Sequence, residues 1–203
     1  MPATIERITR GLAQLGGVRE RRMRRGSIGD RGGRIEIGLV NNMPDAALLA
    51  TERQFSNLLA AAAGDRDVRL HLYAIADVPR SAETSAVLSR TYQDVKSLRA
   101  GRLDALIVTG AEPLAAELPQ EPYWRALADL IDWADRHTIS TILSCLAAHA
   151  GALHLDGVAR RRLPEKCSGI FAFETAPRNK LVSGLGGATL TRIRAATDWT
   201  PRR

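Results

Sequence analysis

Thr138-Ile-Ser-Thr-Ile-Leu-Ser-Cys-Leu-Ala-Ala-His-Ala-Gly151 is the stretch on which the fold turns. Thr138 to Ser144 is apolar and β-branched, which suits a buried strand. Ala147 to Leu155 is rich in Ala and Leu, which suits a helix. Cys145 stands between them, in the position of a nucleophile elbow, a sharp strand-to-helix turn that lifts a side chain above the sheet. Such a turn needs small neighbours. Ser144 and Ala147 supply them, and Ala148, Ala150 and Gly151 keep the following helix slim. The start of a helix offers backbone N–H groups and the positive end of its dipole. Both favour a thiolate, and the Leu146 N–H becomes the candidate oxyanion-hole donor. A free cysteine buried in a core strand is the competing reading of the same pattern.

Outward from this junction the chain alternates. Ile35 to Asn41, Val68 to Ile75 and Asp104 to Thr109 read as strands, and Ala46 to Ala63, Thr91 to Ala100 and Pro122 to His137 as helices. In the last helix Leu127, Leu130, Ile131 and Ala134 share one face. Strands alternating with helices of this length predict βαβ units and a parallel sheet. Continuously apolar strands predict burial on both sheet faces. Sites in such sheets lie beyond the carboxyl ends of the strands. Here those ends are Asn41-Asn42-Met43-Pro44, Thr109-Gly110-Ala111-Glu112 and Ser144-Cys145.

Composition removes several classes. The chain has 203 residues, 45% hydrophobic and 25% charged, and no run approaches the roughly 20 apolar residues of a membrane span. Its two cysteines cannot build a disulfide framework and show no metal-ligand spacing, so no metal site is expected. No apolar export segment follows the start, and a cytoplasmic location is the expectation. The net charge is +7. Residues 1–34 hold nine arginines against Glu6, Glu20 and Asp30, and residues 178–203 hold six basic residues against Asp198. The body between them carries 14 basic and 18 acidic residues, and so lacks the basic patch of a nucleic-acid-binding domain. Residues 1–33 read as a basic, flexible N-terminal extension, 34–180 as the α/β domain, and 181–203 as an atypical tail without a core strand. Cys167 falls in the loop-like stretch Pro164 to Gly169 and shows no sign of chemistry.

Six segments carry a family likeness. Ile37 to Pro44 ends in Asn-Asn-Met-Pro, and Ala50 to Phe55 reads Ala-Thr-Glu-Arg-Gln-Phe. Asp104 to Ala111 reads Asp-Ala-Leu-Ile-Val-Thr-Gly-Ala. Tyr123-Trp124, Ser140-Thr141 and Glu165-Lys-Cys-Ser-Gly169 complete the set, in order. Across about residues 34–174 the chain resembles the homoserine O-succinyl/acetyltransferases of methionine biosynthesis. The resemblance implies their class I glutamine amidotransferase-like fold, a flavodoxin-like parallel sheet with helices on both faces, here incomplete at the C-terminus. It also implies a ping-pong reaction. Cys145 attacks an acyl-coenzyme A, and the hydroxyl of homoserine then takes the acyl group. Acyl-CoA is a co-substrate and no bound cofactor is implied. Lys166 matches a family lysine associated with substrate binding, and the Cys145-to-Lys166 spacing agrees. Ala115, near the family's acyl-selecting position, leaves room for a succinyl group and favours it over acetyl. Homoserine and acyl-CoA are the expected partners, with neither membrane nor nucleic acid, and a homodimer is left open.

Three departures stand against the likeness. The family often has Trp after its nucleophile, where this chain has Leu146. A family Lys is replaced by Asp45. The family's base is a His well downstream of the Cys, oriented by a Glu, whereas His71, His137, His149 and His154 are the only histidines here. The expectation is a truncated or frame-shifted C-terminus. Codons freely chosen for Thr191 to Arg194, read two bases later, can give Pro-His-Ser-Arg, similar to a family segment. A glutamine amidotransferase-like hydrolase and an inactive interaction domain are the alternative functions.

Overall fold

Apolar strand residues with both faces to bury, joined by helices with one apolar stripe each, fold into three layers. A computed structural model describes residues 34–174 and 188–200. The N-terminal extension 1–33 and the start of the tail lie outside the described residues. The chain divides into two units at Leu155.

In the first unit β1 (Arg34–Val40), β2 (Asp67–Ala74), β3 (Gln93–Asp94), β4 (Ala105–Val108) and β5 (Ser140–Leu143) form one sheet. Its order is β3-β2-β1-β4-β5 and every pairing is parallel. Leaving aside the two-residue edge strand β3, the order is that of a flavodoxin-like sheet, whose switch point falls between β1 and β4. Helices α1 (Asp45–Ala63) and α2 (Ala82–Thr91) pack on one face through Leu48, Ala63 and Leu88, against Leu39, Leu70, Leu72 and Ile107. Helices α3 (Trp124–His137) and α4 (Leu146–Asp156) pack on the other through Leu127, Leu130, Ile131 and Ala147, against Val40, Tyr73, Leu106 and Val108.

Two local expectations are corrected. Thr91 to Ala100 is not an α-helix. The helix precedes it as α2, started by Ser81, whose hydroxyl accepts the Thr84 N–H at 3.1 Å. Residues Val95–Ala100 form a 3₁₀ turn, because the Asp94 carboxylate accepts the Lys96 N–H at 2.7 Å and restarts the chain. Strand β5 is not buried on both faces. It pairs only with β4 in this sheet and leaves Ile142 55% exposed.

In the second unit β6 (Ala159–Glu174) and β7 (Ala188–Thr200) form an antiparallel pair. Two readings change here. Pro164 to Gly169 is strand rather than loop, with the register interrupted between Arg162 and Cys167, where Pro164 has no N–H to donate. The tail does contain a strand, and Thr189, Thr191 and Ile193 supply its β-branched alternation.

Candidate active site at Cys145

Ser144 donates its N–H to the Val108 carbonyl at 2.9 Å, so β5 keeps its pairing up to the elbow. The next residue turns sharply. Cys145 has φ 58°, the one non-glycine residue with positive φ among the described residues. A residue with a Cβ pays about 1–2 kcal/mol to stand there, and such strain concentrates at functional sites. Helix α4 begins at once, with the Ala148 N–H on the Cys145 carbonyl at 3.0 Å. The cysteine is free and exposed.

The Leu146 side chain is buried in the core. Its backbone nitrogen lies against Gly110 at the end of β4. A Cβ added to Gly110 would come within 2.5 Å of that nitrogen. Among the described residues the Leu146 N–H meets no acceptor. A backbone donor beside an exposed sulfur at a helix start is the arrangement that stabilises a developing oxyanion.

The turn after β1 lies at the same end of the parallel sheet. Asn42 is buried and joins three strand ends. Its backbone N–H goes to Thr109 Oγ1 at 2.8 Å and its Nδ2 to the Thr109 carbonyl at 3.2 Å, while its Oδ1 accepts the Ile75 N–H at 3.3 Å. Asn41 turns toward the helical layer, donating Nδ2 to the Leu48 carbonyl at 2.9 Å and to Tyr92 Oη at 3.3 Å. Tyr92 in turn donates to Glu52 at 2.6 Å. Burial pushes the Tyr92 phenol well above its ordinary range, and the Glu52 hydrogen bond adds to the rise.

Sequence reasoning missed Arg80. Its guanidinium donates to the carbonyls of Asn41 at 3.0 Å and Met43 at 2.8 Å, holding the turn from beneath. Burial lowers its pKa, against the opposing pull of Asp45. Asp45 lies 3.5 Å from Arg80 and accepts the Ser81 N–H at 3.0 Å. That backbone hydrogen bond is the first cause holding its carboxyl below the ordinary range. The acidic residue therefore has a local role in this turn.

Ala115 lies half-buried on the loop that leaves Gly110. Sequence reasoning also missed the residue that shapes this loop. Glu121 is only 3% exposed, and its Oε1 accepts the N–H groups of both Leu114 and Ala115 at 2.8 Å. Lys166 lies in β6, in the second unit, and its side chain is outside the described residues.

The histidines sit elsewhere. His71 is fully buried with Nε2 2.6 Å from Glu36. His137 stacks on Trp133 at the end of α3, and His154 lies 2.9 Å from Asp132 in the last turn of α4. His149 follows Cys145 by one helical turn and is half-buried. Among the described residues no cluster of His, Cys, Asp and Glu could hold a metal ion, and no helix is long and apolar enough to cross a membrane.

The family model for homoserine O-succinyltransferase matches residues 23–193. Curated homoserine O-succinyltransferases are similar to the chain. That of Rhodopseudomonas palustris is 59% identical over 151 residues, covering 74% of this chain and 45% of the relative. Those of Bradyrhizobium japonicum and Methylorubrum extorquens are 50% and 47% identical, covering 70% and 75% of this chain and 46% and 44% of theirs. The chain thus spans less than half the length of these relatives. With the parallel sheet and the cysteine elbow, the match over most of its length shows that the chain belongs to the homoserine O-succinyltransferase family.

Proposed function

We propose that the protein acts in homoserine O-acylation, with succinyl-CoA as donor, and that Cys145 carries the acyl group. The observation that carries this reading is the strained, exposed Cys145 at the head of α4, beside the Leu146 backbone nitrogen against which Gly110 packs. In the first half-reaction the Cys145 thiolate attacks the thioester carbonyl carbon. The carbonyl oxygen becomes an oxyanion held by the Leu146 N–H. The tetrahedral intermediate then collapses, the C–S bond to coenzyme A breaks, and the coenzyme A thiolate leaves with the electron pair and is protonated. In the second half-reaction the homoserine γ-hydroxyl attacks the acyl-cysteine and its proton passes to a base. The acyl C–S bond to Cys145 breaks, releasing O-acylhomoserine. A thioester suits a soft sulfur nucleophile because thiolate leaves and attacks with similar ease.

Lys166 is proposed to hold a substrate carboxylate, and Ala115 to leave space for the succinyl chain. Both assignments rest on the sequence likeness. The test is the mass of the chain after incubation with succinyl-CoA in the absence of homoserine. The expected result is one succinyl group, located on Cys145 by peptide mapping and absent in Cys145→Ala. A chain that stays unmodified while hydrolysing glutamine would instead point to the amidotransferase-like alternative.

A further inference from the structure

We propose that Glu121 is a positioning residue for the acyl donor, fixing the loop beside Cys145 along which the acyl chain of the donor lies. The inference rests on the acyl-enzyme reading above.

The loop starts at Gly110, against the Leu146 nitrogen. An acyl carbonyl held at that N–H must therefore send its remaining carbons past residues just after Gly110 or past the Asn41–Pro44 turn. Arg80 and the two asparagines secure the latter. The loop after Gly110 contains no helix or strand before Leu118. Glu121 supplies a constraint from outside the loop. Two N–H groups of consecutive residues, Leu114 and Ala115, converge on one carboxylate oxygen at 2.8 Å. Hydrogen bonds to a carboxylate are roughly twice as strong as neutral ones.

A second observation separates this carboxylate from an ordinary loop anchor. Among the described residues its other oxygen, Oε2, is buried with no hydrogen-bond partner. Burying a carboxylate with one oxygen unsatisfied costs stability. An Asn or Gln would accept the same two N–H groups without burying charge. The stiffer, charged anchor makes sense where the loop must not shift.

The consequence depends on the donor. An acetyl group ends at the methyl carbon beside the carbonyl and scarcely reaches the loop. A succinyl group extends past it for three more heavy-atom positions and ends in a carboxylate. A loop that moves by about 1 Å can lower the rate of a positioned reaction roughly 10²-fold, and the longer acyl group bears most of that change.

The experiment uses the 203-residue chain. Cys145 acylation rates are measured over a range of succinyl-CoA and of acetyl-CoA, alongside hydrogen exchange at Leu114 and Ala115. In Glu121→Ala the two amides lose protection, and the ratio of succinyl to acetyl acylation at low donor falls at least tenfold. Glu121→Gln keeps an oxygen that can accept both N–H groups but loses the charge that strengthens those bonds, and shows the same change at smaller size. It decides the matter if Glu121→Ala does not fold. Equal loss with both donors, or an unchanged ratio, overturns the positioning role while leaving the acyl-enzyme reading intact. Failure of the unsubstituted chain to be acylated by either donor overturns both.

Discussion

Gly110 and Leu146 are in contact across the crevice, with no room for a single carbon between them. A Cβ at Gly110 would stand 2.5 Å from the Leu146 nitrogen and 2.6 Å from its Cβ. The obstacle is backbone at a helix start, which cannot swing aside as a long side chain can. The end of β4 and the start of α4 therefore approach closely only because residue 110 is glycine. Gly110→Ala is expected to push α4 away from β4, cost about 1–3 kcal/mol by overpacking, and slow Cys145 acylation about 10²-fold. Urea unfolding and the rate of acylation by succinyl-CoA measure the two effects. An alanine variant with the original rate would remove the Leu146 N–H from the proposed oxyanion hole.

Cys145 adopts a backbone conformation that suits glycine. Removing the side chain should therefore relieve strain. Cys145→Gly is expected to be more stable than Cys145→Ala by about 1 kcal/mol, with both variants incapable of acylation. Most glycine substitutions go the other way, because glycine gains more freedom on unfolding. Thermal unfolding of the two variants gives the comparison. An alanine variant as stable as the glycine variant would mean that position 145 holds no strain.

The elbow was legible because strand, small residues and helix adjoin in sequence. The sheet was legible for a similar reason, since β4 is a continuous apolar run and β1 and β2 are dense in apolar and β-branched residues although Glu36, Arg69 and His71 interrupt them. What escaped was non-local. Nothing next to Arg80 in sequence says that its guanidinium will sit under Asn41 and Met43, which lie more than thirty residues away. Glu121 is nearer to its partners. A carboxylate a few residues before an apolar helix still reads as a surface residue, and its burial comes from how the loop folds back. The α2 helix was misplaced because its apolar content is low and its start depends on the Ser81 cap. The β6–β7 pair was missed because Pro164 reads as a breaker, although it falls where the pairing is already interrupted.

Asp45 gives the turn after β1 a pH dependence. Its carboxyl lies below the ordinary value of 3.8, first because the Ser81 N–H bonds to it and further because Arg80 is close. A group whose folded pKa is depressed contributes stability that is complete above its unfolded pKa and is lost as pH falls through the folded one. The stability advantage of the unsubstituted chain over Asp45→Asn should thus be constant at neutral pH and shrink below pH 3.8. Urea titrations of both proteins across that range test this. A difference that persists unchanged well below that pH would show that the charge on Asp45 does not support the turn.

The final expectation concerns turnover. Acylation asks little of a general base once the sulfur is a thiolate, because coenzyme A leaves as a thiolate too. Transfer to homoserine asks more, since an alcohol must lose its proton as it attacks. Loss of a positioned base typically costs 10²–10⁴-fold. His71 is fully buried against Glu36, and His137 is occupied by Trp133 at the foot of α3. His154 is bound to Asp132, about 12 Å down α4 from Leu146 by helix rise. His149 lies nearer, one helical turn after Cys145 on α4, and is half-buried. The chain is therefore expected to release one equivalent of coenzyme A in a burst and then turn over homoserine 10²–10⁴-fold more slowly than the Rhodopseudomonas palustris relative. Coenzyme A release, followed with a thiol reagent in the presence and absence of homoserine, separates burst from turnover. His149→Ala should leave the burst intact. Rapid turnover that disappears in His149→Ala would make that histidine the base and place the homoserine hydroxyl alongside α4.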